Sequence, residues 1–170
     1  MPFTPFHFGP HACVALPLRK YIDMPVFILS NVAVDLEPLA VLIFNLDYPL
    51  HGYCHTFLFG TFVGAFWAAA AYLLFRLFRK PLGRLLQFYT PTFLGMLVAG
   101  ISGVWLHVLF DAPLYSDIRP FFPFSSNPLY KILSSLTVHK ICIFSYLIAL
   151  GLVILTVLTF FRPKGNMSSS

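Results

Sequence analysis

The chain has 170 residues, 58% of them hydrophobic and only 10% charged, and its mean hydropathy is +0.81. A soluble domain carries about 25% charged residues, so this composition excludes a water-soluble globule and points to a multi-pass membrane protein. The net charge of +5 comes from Lys and Arg at the ends of apolar runs, which makes it a signal of topology and not a nucleic-acid footprint.

In chain order, the amino terminus lacks a basic leader, and Pro2, Pro5 and Pro10 interrupt its apolar residues, so no cleavable signal is expected. Phe6 to Leu18 is apolar but too short to span a hydrocarbon core of about 30 Å. It reads as a short helix carrying His7 and His11, ended near Pro17 and anchored by Arg19 and Lys20. Val26 to Phe44 is long enough to span, yet holds Asp35 and Glu37 near its middle. Pro38 disfavours helical geometry at Glu37 and predicts a kink or break there, which would aim both carboxylates inward.

Asn45 to Cys54 is a polar loop ending in the pair His51 and His55. Thr56 to Phe78 is a second span, with Gly60, Gly64 and the alanines 68–71 as a small-residue packing face. Arg76, Arg79, Lys80 and Arg84 follow. Thr92 to Phe110 is the third span, with Gly95, Ala99, Gly100 and Gly103 along it, and it ends in His107 and Asp111. A proline- and phenylalanine-rich loop, 113–130, suits the membrane interface. Ile141 to Phe161 is the last span. The expected architecture is an all-α polytopic bundle of four transmembrane helices plus a short amino-terminal helix. It forms one domain over residues 1–162, with a disordered tail over 163–170.

The basic residues orient this arrangement. Arg19, Lys20, Arg76, Arg79, Lys80, Arg84, Arg162 and Lys164 fall on one side, leaving Arg119, Lys131 and Lys140 on the other. The positive-inside rule makes the first side cytoplasmic. His7, His11, His51, His55, His107 and Asp111 then gather at the outward, extracytoplasmic ends of their segments, with Asp35 and Glu37 somewhat deeper. Polar groups inside membrane segments are costly and mark function.

Imidazole and carboxylate groups at a spacing of four residues share a helix face and suit zinc or a similar divalent metal. The number of ligands is enough for one or two ions, with Asp35 or Asp111 as a bridging carboxylate. Such a centre activates water against an ester or phosphoester. Asp35 and Glu37 are the candidate catalytic carboxylates, Glu37 serving as general base or orienting a histidine. His139 reads as an interfacial residue, and Asp23, Asp47 and Asp117 as solvated loop residues. Cys13, Cys54 and Cys142 are isolated and read as small hydrophobes. No serine nucleophile elbow and no glycine-rich phosphate loop occurs.

The order of these pieces, MPFTPFHFG, VAVDLEP, HGYCHTF and LHVLFDAP followed by RPFFPF, resembles the YdjM-like membrane-bound metal-dependent hydrolases, over roughly residues 3 to 124. The resemblance implies an inner-membrane hydrolase with His7, Asp35, His51, His55, His107 and Asp111 as metal-site residues. The chain departs from the family at Val34-Asp35-Leu36-Glu37, where Pro-Asp-x-Asp is frequent. It departs again at Gly52, where the family often carries an arginine able to bind phosphate. The ligand pattern is also similar in style to zinc-dependent phospholipases C. The expected partners are the lipid bilayer and a small amphipathic substrate, with no nucleic acid. The competing expectation is a non-enzymatic membrane protein, either a metal or proton transporter or a scaffold pinned together by the same polar groups.

Overall fold

The computed structural model describes residues 5–160, which are helical with no strand among them. The tail 163–170, with Lys164, and Arg162 before it lie outside the described residues. Helix α1 is Pro5–Leu18, α2 Met24–Phe44, α3 Phe57–Phe78, α4 the single turn Gly83–Leu86, α5 Phe93–Asp111 and α6 Ser135–Phe160. Four of these, α2, α3, α5 and α6, are long and apolar enough to cross a membrane.

Each span begins or ends where local chemistry dictates. Asp23 caps α2 by accepting from the Val26 N–H at 3.0 Å, with Pro25 in the first turn, and Asn45 closes it in the left-handed conformation at φ 47°. Thr56 caps α3 through the Phe59 N–H, and Thr92 caps α5 through the Gly95 N–H, both at 3.0 Å. The helix α2 runs unbroken through Pro38, contrary to the predicted kink. Proline removes one backbone donor, but the packing of α2 against α1, α3 and α5 keeps the segment helical.

The two most buried spans are α2 and α5, each with 39% of its apolar window covered, against 17% for α3 and α6. Helix α5 therefore sits at the centre, with α3 and α2 packed on it, while α1 bridges α2 and α6. The small residues set these distances. A Cβ on Gly64 would lie 2.6 Å from the Gly100 carbonyl oxygen, and one on Gly103 would lie 2.6 Å from the Phe27 carbonyl oxygen. Only glycine lets the backbones approach so closely. The helix α6 begins six residues before the predicted Ile141, because Ser134 opens a turn that runs through Thr137 and His139.

The start of α1, the end of α2, the start of α3, the end of α5 and the start of α6 all lie at one end of the bundle. The loop between α5 and α6 folds back over that end. The Phe57 N–H donates to the Pro120 carbonyl at 2.9 Å, and Asn127 donates to the carbonyls of Ala112 and Tyr115.

Candidate metal centre

At this end Asp35, His55, His107 and Asp111 each offer one ligand atom, and the four atoms lie within 4.8 Å of one another. They come from α2, the turn before α3, and the last turn of α5. His107 and Asp111 meet along one face of α5, with Nε2 3.2 Å from Oδ2, as their spacing predicts. His107 Nε2 is also 3.3 Å from Asp35 Oδ1, and His55 Nε2 is 3.8 Å from the same oxygen. His55, His107 and Asp111 are buried, while the Asp35 side chain keeps 22% exposure.

The opposite edges of both rings are fixed by acceptors. His107 Nδ1 lies 3.0 Å from Asn31 Oδ1, and His55 Nδ1 lies 3.1 Å from Glu37 Oε2. Placing the N–H on Nδ1 in this way leaves Nε2 with a bare lone pair, the form that ligates metal. Both Nε2 atoms are sealed from solvent and in hydrogen-bond geometry with no partner. Separations of 3.2 to 3.8 Å between nitrogen and oxygen match the edges of a tetrahedral zinc site, about 3.4 Å for bonds of about 2.05 Å. The donor set therefore fits a divalent metal, and these four residues could hold one.

His7 adjoins this group through Asp111, its Nε2 being 3.0 Å from Oδ1, and its ring lies 4.7 Å from that of His107. Asp111 thus stands between His7 and His107 as a bridging carboxylate. Its Oδ1 and both ring nitrogens of His7 have no hydrogen-bond partner. His7 and Asp111 alone are too few for a second ion, so among the described residues the arrangement suits one.

His51 stands outside the group of four. Its Nδ1 faces Asp117 at 3.1 Å, and its backbone N–H donates to the same carboxylate at 3.0 Å. Its ring stacks on Tyr115 at 4.1 Å and meets His55 edge-on at 4.9 Å. The pair His51 and His55 lies on a loop and a 3₁₀ turn, Tyr53–His55, and not on a helix, yet the rings still touch. Burial, then the charge of His55, hold the His51 imidazolium below its ordinary pKa. At His55 burial works the same way, but the hydrogen bonds of Asp35 and Glu37 outweigh it and raise the pKa.

Glu37 accepts from the N–H groups of Gly52 and Cys54 at 3.0 and 3.2 Å besides holding His55. Its oxygens accept from Gly52 and Cys54 and face His55, so it orients the His55 ring. No break at Pro38 is needed: Asp35 and Glu37, two residues apart on a continuous helix, approach opposite edges of the one His55 ring. Burial, then the Glu37 charge, push the Cys54 thiol up to about 11, so it stays protonated and outside the ligand set. His11 lies one helical turn along from His7, its ring between the carbonyls of His7 and Gly103. Burial lowers its pKa to about 4, and it serves packing against Phe27.

Three groups escaped the sequence reading. Asn31 is a buried amide that looks like a helix-packing residue until His107, 76 positions away, is brought against it. Asp117 pairs with His51, and Asp23 caps α2 and accepts from the Tyr89 hydroxyl at 2.6 Å, so neither is merely solvated. His139 lies in the first turns of α6, half-buried and edge-on to Phe6 at 5.4 Å. No family model, curated protein or solved structure matches the chain.

Proposed function

We propose that this chain is a membrane-embedded, metal-dependent hydrolase that cleaves an amphipathic ester or phosphoester at the outward face of the inner membrane. The observation that carries the reading is the convergence of two Nε2 lone pairs and two carboxylates, with Asn31 and Glu37 locking the rings from behind. Membership of the YdjM-like hydrolases, suggested by the order of the His and Asp motifs, belongs to the same proposal.

Asp35, His55, His107 and Asp111 would hold the ion, with zinc the first choice for imidazole and carboxylate donors. A bound divalent metal lowers the pKa of water and polarises the ester or phosphoryl oxygen. The chain's own groups supply the rest. Asp35 is the exposed member of the set, so substrate and water approach from its side. His7, whose Nε2 lies 3.0 Å from Asp111 Oδ1, would be placed to take the proton given up by an attacking water. The loop 113–130 packs Tyr115 and Asp117 on His51 and covers the end of the bundle, which limits bulk water.

One feature separates this from a transporter. Below the cluster the buried polar groups continue to Ser30, Asn31 and His11, then stop at a closed apolar layer of Ala15, Val26, Phe27, Ala68, Met96 and Ala99. Among the described residues no buried polar side chain interrupts that layer, which favours a one-sided site.

The test is hydrolysis by detergent-purified protein of a panel of lipid carboxylic esters and phosphoesters, before and after metal removal with a chelator. The expected result is an activity that disappears with the metal, returns with zinc, and falls by about 10³-fold or more in His107→Ala. Activity indifferent to chelation and to His55→Ala, His107→Ala and Asp111→Asn would overturn the proposal. A metal-loaded protein inert on every member of the panel would favour the transporter.

A further inference from the structure

Beside the four-residue cluster, at the same end of the bundle, a cavity of about 300 Å³ opens between the loop before α3 and the loop after α5. Its walls include Tyr48, His51, Ser116, Asp117, Arg119 and Ser125. His51 belongs to both places, since its ring also lies edge-on to His55 at 4.9 Å.

The hydrogen-bonding character of this cavity is one-sided. The Arg119 side chain is exposed and has no ion pair or hydrogen bond among the described residues, and it is the one Lys or Arg lining the cavity. The Tyr48 oxygen accepts from the Tyr53 N–H, which leaves its own proton to donate. The hydroxyls of Ser116 and Ser125 are exposed along the wall and can donate to a bound ligand. The one carboxylate in the wall, Asp117, is already taken by the N–H and Nδ1 of His51. A guanidinium with hydroxyl donors around it, beside a carboxylate already engaged by His51, is an arrangement that can bind a phosphate group. Gly52 adds room for it to form, because any Cβ there would strike the Tyr48 ring that makes up the wall.

We infer that this cavity binds the phosphate group of the substrate, with Arg119 as its principal ligand. This rests on the hydrolase reading for the identity of the bound molecule as substrate, and it narrows that substrate from esters in general to those bearing a phosphate. The polar cavity lies on the His51 side of the metal cluster. An apolar groove of about 330 Å³, walled by Leu109, Phe110, Pro113, Ile132, Leu133 and Ile141, lies between the end of α5 and the start of α6. A phosphorylated head would match the polar cavity and an acyl chain the apolar groove.

The test measures binding to purified protein, both metal-loaded and metal-stripped. Three probes are compared: inorganic phosphate, a lysophosphatidic acid in detergent, and the uncharged monoacylglycerol of the same chain length. The variants are Arg119→Gln and Arg119→Lys, with metal content read in parallel. The expected result is binding of both phosphate-bearing probes, weakened about tenfold or more in Arg119→Gln and partly restored in Arg119→Lys. Metal content should not change, because Arg119 touches no member of the cluster. Tighter binding of the lipid than of free phosphate identifies a lipid headgroup as the source, and equal binding identifies a soluble phosphoester. Binding of phosphate probes that ignores Arg119→Gln, or no preference over monoacylglycerol, overturns the inference and leaves the metal centre standing. Arg119-dependent phosphate binding in a protein that takes up no metal would do the reverse, upholding the cavity and sinking the hydrolase.

Discussion

At the scale of single residues, the groups that matter most are those that do not touch the candidate metal at all. Asn31 and Glu37 fix the tautomers of His107 and His55 by occupying Nδ1, and such outer partners typically account for about 10- to 100-fold in metal affinity. Asn31→Leu should therefore weaken zinc binding by about that factor while the helix content stays the same. Glu37→Gln should weaken it less, since the amide oxygen still accepts one hydrogen bond. A competition titration against a chelator of known affinity measures both; an unchanged affinity in Asn31→Leu would show that the His107 ring is held by packing alone. Asn31 could not be singled out from the chain itself, because a lone buried amide in an apolar helix has an equally good structural use. By contrast His107 and Asp111 were legible, since a spacing of four on a helix leaves them no alternative but to share a face.

At the scale of elements, the site depends on how closely three helices approach. Gly64 and Gly100 hold α3 against α5, and Gly103 holds α5 against α2. Gly100→Ala would place a methyl group against the Gly64 carbonyl and force the helices apart, costing about 2 kcal/mol by the usual effect of overpacking. A lowered thermal midpoint in detergent, with metal affinity reduced in step, is the expected outcome; an unchanged midpoint would mean the helices separate without loss. The small-residue faces of α3 and α5 could be read from the sequence because glycine and alanine at helical spacing have few other uses in an apolar span. Two other readings failed. The break expected at Pro38 was judged from local backbone preference and gave way to packing, while the start of α6 was judged from the apolar run and moved back to the local cap at Ser134. The loop after α5 was legible only as an interfacial segment. Its contacts through Asp117 and Pro120 span more than sixty positions, and no spacing rule reaches so far.

At the scale of the whole molecule, four apolar helices surround a polar cluster confined to one end, with arginine and lysine concentrated at the other. On the proposed topology, the positive-inside rule would put the cluster outward. Single cysteines introduced at Ser125 and at Arg84, in a background lacking Cys13, Cys54 and Cys142, give a direct check with a membrane-impermeant thiol reagent on intact cells. Labelling at 125 and protection at 84 is expected, and the opposite pattern would put the centre on the cytoplasmic face. The polar groups could be assigned to one end from the sequence because charge at the helix ends fixes the direction of each span. Their assembly into a single group of four, with His51 left aside, required the positions of α2 and α5 relative to each other.

The most direct measurement is the metal content of the purified protein by elemental analysis, beside a His55→Ala/His107→Ala variant of matched helix content. One equivalent of zinc or another divalent transition metal in the parent, lost in the variant, is the expected result. A parent that holds no metal after reconstitution with zinc, manganese and iron would contradict the metal centre and leave these histidines and carboxylates as a buried proton-sharing network.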